Sequence, residues 1–522
     1  MKNPFLLFIF FTVFVIFQAQ ARKEPLKVAF MASAGNFEIL PTFVKLGEIF
    51  TSLRGESCIA VIHSADKTAW DRSSCTKLKY GFGEGEAEKY LASLYQAQNA
   101  FESRHPWSAE HYKEPYKIII KQFFDTKILE TLKKSDINLL VCDVSNFLCN
   151  YVAQNLEGVK TIYHAPNIPN YYLRDYFESS ASYHPVMTSP YTNIMNIRQR
   201  FSNYVRDFFL ARSLKFQRKA FADILEENTR EKIQLARFID PISLFTTQAV
   251  KGFNYPLYIP PNIAYLGCIS CLMPHQLSIE LDKFLMRHSK NIYIKLDRID
   301  SPETLKDLID TVRELEKIGF VLNADLPLGL NLPVNLYRIG YIPTADILAH
   351  EKVSAIIHDN DWTCILEAVY YQKPMIGLAY IYERKAYGAF IEDRGIGISV
   401  NKEKDMKKLA ASIKDLVNPK MKHVTAVEKY SKILMTVNST KMIEKVFEDY
   451  VMNGVEYLVV KPFYEMPFYS YYNLDVWFVF IGLPFLLISC LCLKCKKRQK
   501  RRPSLRIATA VQSQELSKEK ME

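Results

Sequence analysis

Residues 355–378, AIIHDNDWTCILEAVYYQKPMIGL, hold a short apolar run, a polar turn, an apolar segment of helical period and a second apolar run. The pattern predicts a buried strand ending at His358, a turn over Asp359–Asp361, a helix opening at Trp362, Thr363 and Cys364, and another buried strand near Met375. The first turn of a helix carries backbone N–H groups with no partner inside the helix. Together with the aligned peptide dipoles they make a site for an anion.

The same alternation continues on both sides. Downstream lies a helix near Asp405–Leu416, and upstream come a strand at Asn291–Leu296, a helix at about Glu303–Lys317, and strands at Phe320–Asn323 and Leu336–Ile339. Further upstream the pattern predicts a strand at Leu26–Ala32, a turn at Ser33–Asn36, a helix over roughly Pro41–Leu53 closed by Gly55, and a strand at Cys58–His63. A strand at Asn138–Cys142 then ends on Asp143, and Asn146–Leu156 has helical spacing. Repeated βα units mean mostly parallel sheets, and 522 residues exceed what one core holds, so two α/β domains are expected. Pro256, Pro260 and Pro261 mark a boundary between them. Ligands of such sheets sit at the carboxyl ends of strands, so a cleft between the two halves is the expected site.

The chain ends give an address. Residues 1–21 combine Lys2, an apolar run and Ala19-Gln20-Ala21, the pattern of a secretory signal peptide. Residues 474–493 include the apolar run Val476–Leu493, about the minimum spanning length of 18 residues, and a basic tail over 494–522 follows. Basic flanks stay cytosolic, so a single-pass protein with a lumenal body is expected. Lysines three and five residues from the terminus, Lys520 and Lys518, resemble an endoplasmic-reticulum retrieval signal. Asn438-Ser439-Thr440 is an acceptor sequence for N-glycosylation. Much of the net charge of +11 lies in the tail, where orientation accounts for it, and a lumenal body meets no nucleic acid.

Seven of the ten cysteines precede the apolar run, an odd number for an oxidising compartment. Cys268-Ile-Ser-Cys271 has redox-motif spacing without the strand-to-helix context that activates a thiolate, so a local disulfide or buried thiols are expected. No Cys/His cluster completes a zinc site, and no metal or resident cofactor is expected.

The motifs Pro343-Thr-Ala-Asp346-Ile-Leu348-Ala-His350, Ile357-His358, Glu367-Ala368, Pro374-Met375-Ile376-Gly377 and Gly395-Ile-Gly397 resemble, in order and nearly in spacing, the donor-binding signature of the UDP-glycosyltransferases, in particular the animal UDP-glucuronosyltransferases. A weaker match runs from His184-Pro185 through Met195 and Arg198–Arg200 to Asn203. The resemblance covers nearly the whole chain, including the anchor that opens at Leu474-Asp475-Val476. It implies a GT-B architecture, two Rossmann-like domains facing across a cleft: an acceptor domain at 22–250, a linker at 251–290, a UDP-sugar domain at 291–450 and a lumenal return at 451–473.

The resemblance also implies roles for residues. Glu367 matches the carboxylate that accepts from the ribose hydroxyls, and His358 the histidine that donates to the pyrophosphate. Tyr341 stands where the family stacks a Trp on uracil, and Thr344 replaces a Gln that pairs with the base. Asp359-Asn360-Asp361 replaces a glycine-rich phosphate loop and brings negative charge beside a dianion, for which Lys295 and Arg298 are expected to compensate. Glu383-Arg384 occupies the place of the sugar-gripping pair, either as a contact to an acidic sugar or as a solvated charged loop. Pro166–Ser189, rich in Tyr, is expected to cover the acceptor cleft, with a core or a membrane-facing surface as the alternatives.

Inverting transfer needs a base for the acceptor hydroxyl, which in this family is a His in the first turn, oriented by an Asp. Asp143 fits the orienting Asp, while Asn36 stands at the place of the His and cannot take a proton. Two functions follow: an anchored transferase moving glucuronosyl or glucosyl from a UDP-sugar to a small lipophilic acceptor, or a catalytically inactive lumenal binding or partner subunit. Self-association is left open.

Overall fold

The computed structural model describes residues 26–54, 57–104, 110–168, 171–176, 183–233, 239–240, 242–296, 302–323, 331–378, 384–400, 406–418, 420–459, 467–471 and 473–500. Residues 1–21, expected as a signal peptide, and Gly55, Arg298, Glu383, Lys518 and Lys520 lie outside them. The described residues before Val460 form one compact unit and those after it another.

The larger unit holds two sheets. The first is seven-stranded, built from β1 (Val28–Met31), β2 (Cys58–His63), β3 (Thr76–Tyr80), β4 (Leu139–Asp143), β5 (Lys160–Ala165), β6 (Leu244–Thr247) and β7 (Ile263–Tyr265), in the order β3-β2-β1-β4-β5-β6-β7. The second is six-stranded, built from β8 (Asn291–Lys295), β9 (Gly319–Asn323), β10 (Leu336–Ile339), β11 (Val353–His358), β12 (Met375–Leu378) and β13 (Gly397–Val400), in the order β10-β9-β8-β11-β12-β13. All pairings are parallel.

Both faces of each sheet are covered, which explains the continuous apolar runs in the strands. In β1, Ala29 and Met31 enter one core layer while Val28 and Phe30 enter the opposite one. In β11, Ile356 faces one layer of the second half, and Ala355 and Ile357 face the other.

In chain order the helices of the first half are α1 (Leu40–Arg54), α2 (Glu86–Arg104), α3 (Glu110–Asp125), α4 (Ile128–Lys133), α5 (Phe147–Asn155) and α6 (Ile197–Thr229). Then follow α7 (Ile279–Arg287), α8 (Pro302–Glu314), α9 (Thr344–Leu348), α10 (Trp362–Tyr370), α11 (Lys385–Asp393), α12 (Leu409–Leu416), α13 (Lys422–Leu434) and α14 (Ser439–Asn453). In both sheets the strand order reverses about the first strand of the half, between β1 and β4 and between β8 and β11. A crevice opens at that reversal because successive crossovers leave to opposite sides.

Two features depart from the expected boundaries. The range expected as linker, 251–290, contains β7, which pairs with β6 in the first sheet. Helix α14 packs on the first half: the Phe447 ring lies 5.4 Å from that of Phe50, and the Tyr450 hydroxyl donates to the Thr161 carbonyl at 2.9 Å. Its apolar face, Ile443, Phe447 and Tyr450, completes the layer under α1, a long-range return that local periodicity does not reveal.

Disulfides join Cys58 to Cys75, Cys142 to Cys149 and Cys268 to Cys271, and Cys364 lies buried outside all three. The smaller unit contains an apolar helical stretch, Leu474–Lys494, of 21 residues with none of it buried, long enough to cross a bilayer.

Candidate functional site

The first crevice is built where β1 and β4 end. Leaving β1, the chain turns through Ser33–Asn36, with Gly35 at a φ of +71° and its amide donating to the buried Asp66 carboxylate at 3.0 Å. A side chain at Gly35 would be strained by that φ and would meet Leu91 at 2.9 Å. The turn aims Asn36 at the last residue of β4, and Asn36 Nδ2 donates to Asp143 Oδ2 at 3.2 Å. Ser33 N and Ser145 Oγ donate to the same oxygen at 3.3 and 2.7 Å, and Ser145 N donates to Asp143 Oδ1 at 3.0 Å. Burial pushes the Asp143 carboxyl up, and these hydrogen bonds work against the rise.

This polar group forms one end of a cavity of about 210 Å³. Its walls are largely aromatic, with Tyr90, Tyr112, Tyr116, Phe147, Tyr172 and Phe221, and Arg384 and Tyr387 of the second half also line it. Of the Tyr-rich stretch expected to cover an acceptor, Pro166, Tyr172 and Met187 reach the cavity.

The second crevice lies where β8 and β11 end. His358 closes β11 and is fully buried. Asn360 follows with a φ of +59°, a left-handed conformation that Asn tolerates, and its amide packs where side chains at Gly377 and Gly388 would otherwise stand. Asp361 is the N-cap of α10, accepting from Cys364 N at 3.2 Å. Its other oxygen takes Lys295 Nζ at 2.7 Å in a pair almost closed to solvent. Burial pushes the Asp361 carboxyl up, but the Lys295 and Arg384 charges outweigh it and hold the group down at about 2.

The first half supplies the remaining contact. Glu38, just before α1, accepts from Trp362 N at 3.1 Å through Oε1, while its backbone carbonyl accepts from Thr363 Oγ1 at 2.8 Å. Glu38 Oε2 pairs with Arg384 Nη2 at 3.3 Å, and Arg384 Nη1 pairs with Asp359 Oδ2 at 3.1 Å. The mouth of α10 therefore already holds two carboxylates of the protein itself, Glu38 on Trp362 N and Asp361 on Cys364 N.

These contacts bear on three expectations. Lys295 offsets the negative charge of the acidic turn by pairing with Asp361. Arg384 is not a solvated loop residue: it is buried, pairs with the Glu38 and Asp359 carboxylates and lines the cavity of the first crevice. The Trp362 ring belongs to the core, 5.3 Å from the Phe390 ring and 5.4 Å from that of Tyr387, so this residue meets the crevice only through its backbone.

The far end of the crevice is bridged too. Gln248 Nε2 donates to Thr42 Oγ1 at 2.7 Å and to Thr363 Oγ1 at 3.2 Å, linking α1 to α10. Asp346 pairs with Arg72 at 3.2 Å and accepts from His275 N at 2.9 Å. Thr344 begins α9 buried and hydrogen-bonds the Tyr293 hydroxyl, and Tyr341 packs half-buried against the α1 layer of the first half. Glu367 is buried within α10; burial raises its carboxyl to about 8, with a hydrogen bond from Ser270 opposing. Among the described residues no His, Cys, Asp and Glu cluster is arranged to hold a metal.

Sequence reasoning thus located both crevices but missed Glu38, Gln248, Thr42 and Asp346 as bridging residues. The charged Glu38 inside an otherwise apolar run, Phe37 to Leu40, was the one local signal available.

The family model for UDP-glucoronosyl and UDP-glucosyl transferase matches residues 38–502 of this chain. The chain belongs to that family. It is 23% identical over 404 residues to UDP-glucuronosyltransferase 3A1 of Xenopus laevis, covering 71% of this chain and 72% of that protein. It is 22% identical over 392 residues to UDP-glucuronosyltransferase 2B7 of Homo sapiens, covering 71% and 72%. Among solved structures, Os79 from O. sativa in complex with U2F and trichothecene is similar at a TM-score of 0.56 and 12% identity, covering 81% of this chain and 99% of that one. UGT71G1 of Medicago truncatula complexed with UDP-glucose is similar at a TM-score of 0.50 and 12% identity, covering 83% and 100%.

As a divergent UDP-glycosyltransferase with the GT-B fold, the chain places its two crevices on the two halves of that fold. Asn36, just before the first residue that the family model matches, is hydrogen-bonded to Asp143. Asn438 is exposed, and its side chain caps α14 by accepting from Lys441 N at 3.1 Å.

Proposed function

We propose that this UDP-glycosyltransferase is a single-pass protein of the endoplasmic-reticulum membrane, with a lumenal body glycosylated at Asn438, that transfers a glucuronosyl or glucosyl group from a UDP-sugar to a small lipophilic acceptor with inversion. The observation that carries this reading is the aromatic cavity of about 210 Å³, with Asn36 and Asp143 at its polar end and Arg384 and Tyr387 of the donor half in its wall. A flat apolar acceptor fits such walls. Its nucleophilic oxygen would attack the anomeric carbon while UDP departs with the electron pair of the broken bond.

Asn36 cannot accept the acceptor's proton, and Asp143 Oδ2 already receives three donors. The site therefore suits an acceptor that carries no proton on its nucleophile at neutral pH, such as a carboxylate, over a simple alcohol.

A second reading, a catalytically inactive binding or partner subunit, is supported by the same Asn36 and by the two carboxylates on the mouth of α10. Thermal stabilisation of the full-length chain by UDP, UDP-glucuronate and UDP-glucose, against a purine nucleotide control, separates the two. Ligand at ten times its Kd stabilises by about 1.4 kcal/mol, which a melting curve resolves. A shift specific to UDP compounds supports the transferase; no shift at millimolar ligand leaves the inactive reading.

A further inference from the structure

Three of the ten cysteines take no part in the body. Six of the others are paired and Cys364 is buried, while Cys490, Cys492 and Cys495 stand within six residues at the end of the apolar stretch Leu474–Lys494. Cys490 and Cys492 are exposed free thiols. At about 1.5 Å per residue the 21-residue stretch rises about 31 Å, close to the thickness of a hydrocarbon core. Cys492 then lies about 3 Å and Cys490 about 6 Å inside the end of that stretch, and Cys495 is one residue beyond it. Lys494, Lys496, Lys497, Arg498, Lys500, Arg501 and Arg502 follow at once, and such a flank stays in the cytosol, where thiols are kept reduced.

Other uses of these thiols fit the helix poorly. Residues 490 and 492 are about 200° apart around the axis, so their sulfurs point to opposite sides and converge neither on one ion nor on each other. Among the described residues no cluster is arranged to hold a metal. Cysteine also serves as a small apolar filler in cores, but none of this stretch is buried by the rest of the chain.

We propose that Cys490, Cys492 and Cys495 are S-acylation sites, taking long-chain fatty acyl groups from acyl-coenzyme A at the cytosolic face. The inference rests on the reading of the chain as a single-pass protein with a cytosolic tail. Cysteines at the cytosolic edge of a spanning helix are placed where an acyl chain enters the bilayer as soon as it is attached. The cysteine sulfur attacks the thioester carbonyl carbon, the bond from that carbon to the coenzyme A sulfur breaks, and coenzyme A leaves as a thiol that takes the proton. The seven cations beside the cysteines attract the phosphate groups of the acyl donor. The apolar run Val476–Leu493 is of about the minimum spanning length of 18 residues, and acyl chains add apolar surface where it ends.

The test is acyl exchange on the full-length chain expressed in cells. Disulfides are reduced, free thiols are blocked, thioesters are cleaved with neutral hydroxylamine, and each thiol so released is tagged with a polyethylene glycol maleimide. One to three hydroxylamine-dependent mass steps are expected, and none in the triple variant Cys490→Ser, Cys492→Ser, Cys495→Ser. Incorporation of an alkyne-tagged fatty acid should fall at least tenfold in that variant. Resistance to alkaline extraction and the glycan at Asn438 read the anchor and its orientation separately in both chains. A chain that resists extraction and carries the glycan but shows no hydroxylamine-dependent step, or keeps its steps in the triple variant, overturns the proposal and leaves the anchor reading intact. A chain that alkali extracts and that shows no step fails both.

Discussion

Replacing Glu38 by Gln should weaken the fold and tighten UDP binding at once. In the native chain the Glu38 carboxylate accepts from Trp362 N at 3.1 Å and pairs with Arg384 at 3.3 Å, with both side chains about nine-tenths buried. Losing one partner of a buried ion pair costs about 3–5 kcal/mol when the other is left alone. Arg384 keeps Asp359 at 3.1 Å, and a Gln side chain can still accept from the amide, so the loss here should be nearer 1.5–2 kcal/mol. A UDP diphosphate that binds at the mouth of α10 must compete with Glu38 for that N–H and that guanidinium. Removing a competitor of this strength should lower the Kd for UDP about 10- to 30-fold, since about 1.4 kcal/mol is one decade. Calorimetric titration with UDP and thermal melting of wild type and Glu38→Gln read both effects on one preparation. A variant that melts lower yet binds UDP no more tightly would show that Glu38 does not occupy the diphosphate position.

Three further outcomes are expected. Asn36→His should set an imidazole against Asp143 and raise transfer to an alcohol acceptor by about 100-fold or more, measured as product per unit time; an unchanged rate would mean that deprotonation does not limit the native site. Lys295→Met should destabilise the chain by about 3–5 kcal/mol by leaving the buried Asp361 without its ion-pair partner, and adding Asp361→Asn should restore most of the loss in a double-mutant cycle. Strictly additive losses would mean that the pair is not coupled. Stability should also fall as pH rises from about 7 to about 8. Burial lifts Asp66 to about 7 and Glu367 to about 8, so in that window the folded state keeps protons that the unfolded one has lost, whereas below about pH 6.5 the buried His63, His164 and His184, all held down by burial, give the opposite slope. Glu367→Gln and Asp66→Asn should each flatten the slope, and a wild-type stability that rises with pH between 7 and 8 would contradict the assignment.

The short strands were legible because each is buried on both faces and therefore reads as an unbroken apolar run between polar turns. The Asn36–Asp143 pair was implied by the family resemblance, and the structure sets both residues at the point where the strand order reverses. At the donor crevice the compensation of the acidic turn by Lys295 was legible from charge alone, and the structure pairs Lys295 with Asp361; the partners of Arg384, Glu38 and Asp359, were not, because Glu38 is distant in sequence.

By itself, then, the sequence determined two βα-alternating halves, an apolar stretch near the carboxyl end, and the residue types at the strand ends, because each depends on neighbours within a few residues. Only the tertiary structure decided that Glu38 would meet Trp362 across 324 positions of sequence, that α14 would close the first half, and which cysteines would pair. Those contacts form because a buried charge must find its counter-charge and an apolar face its cover, and which one lies within reach is set by the packing of whole domains.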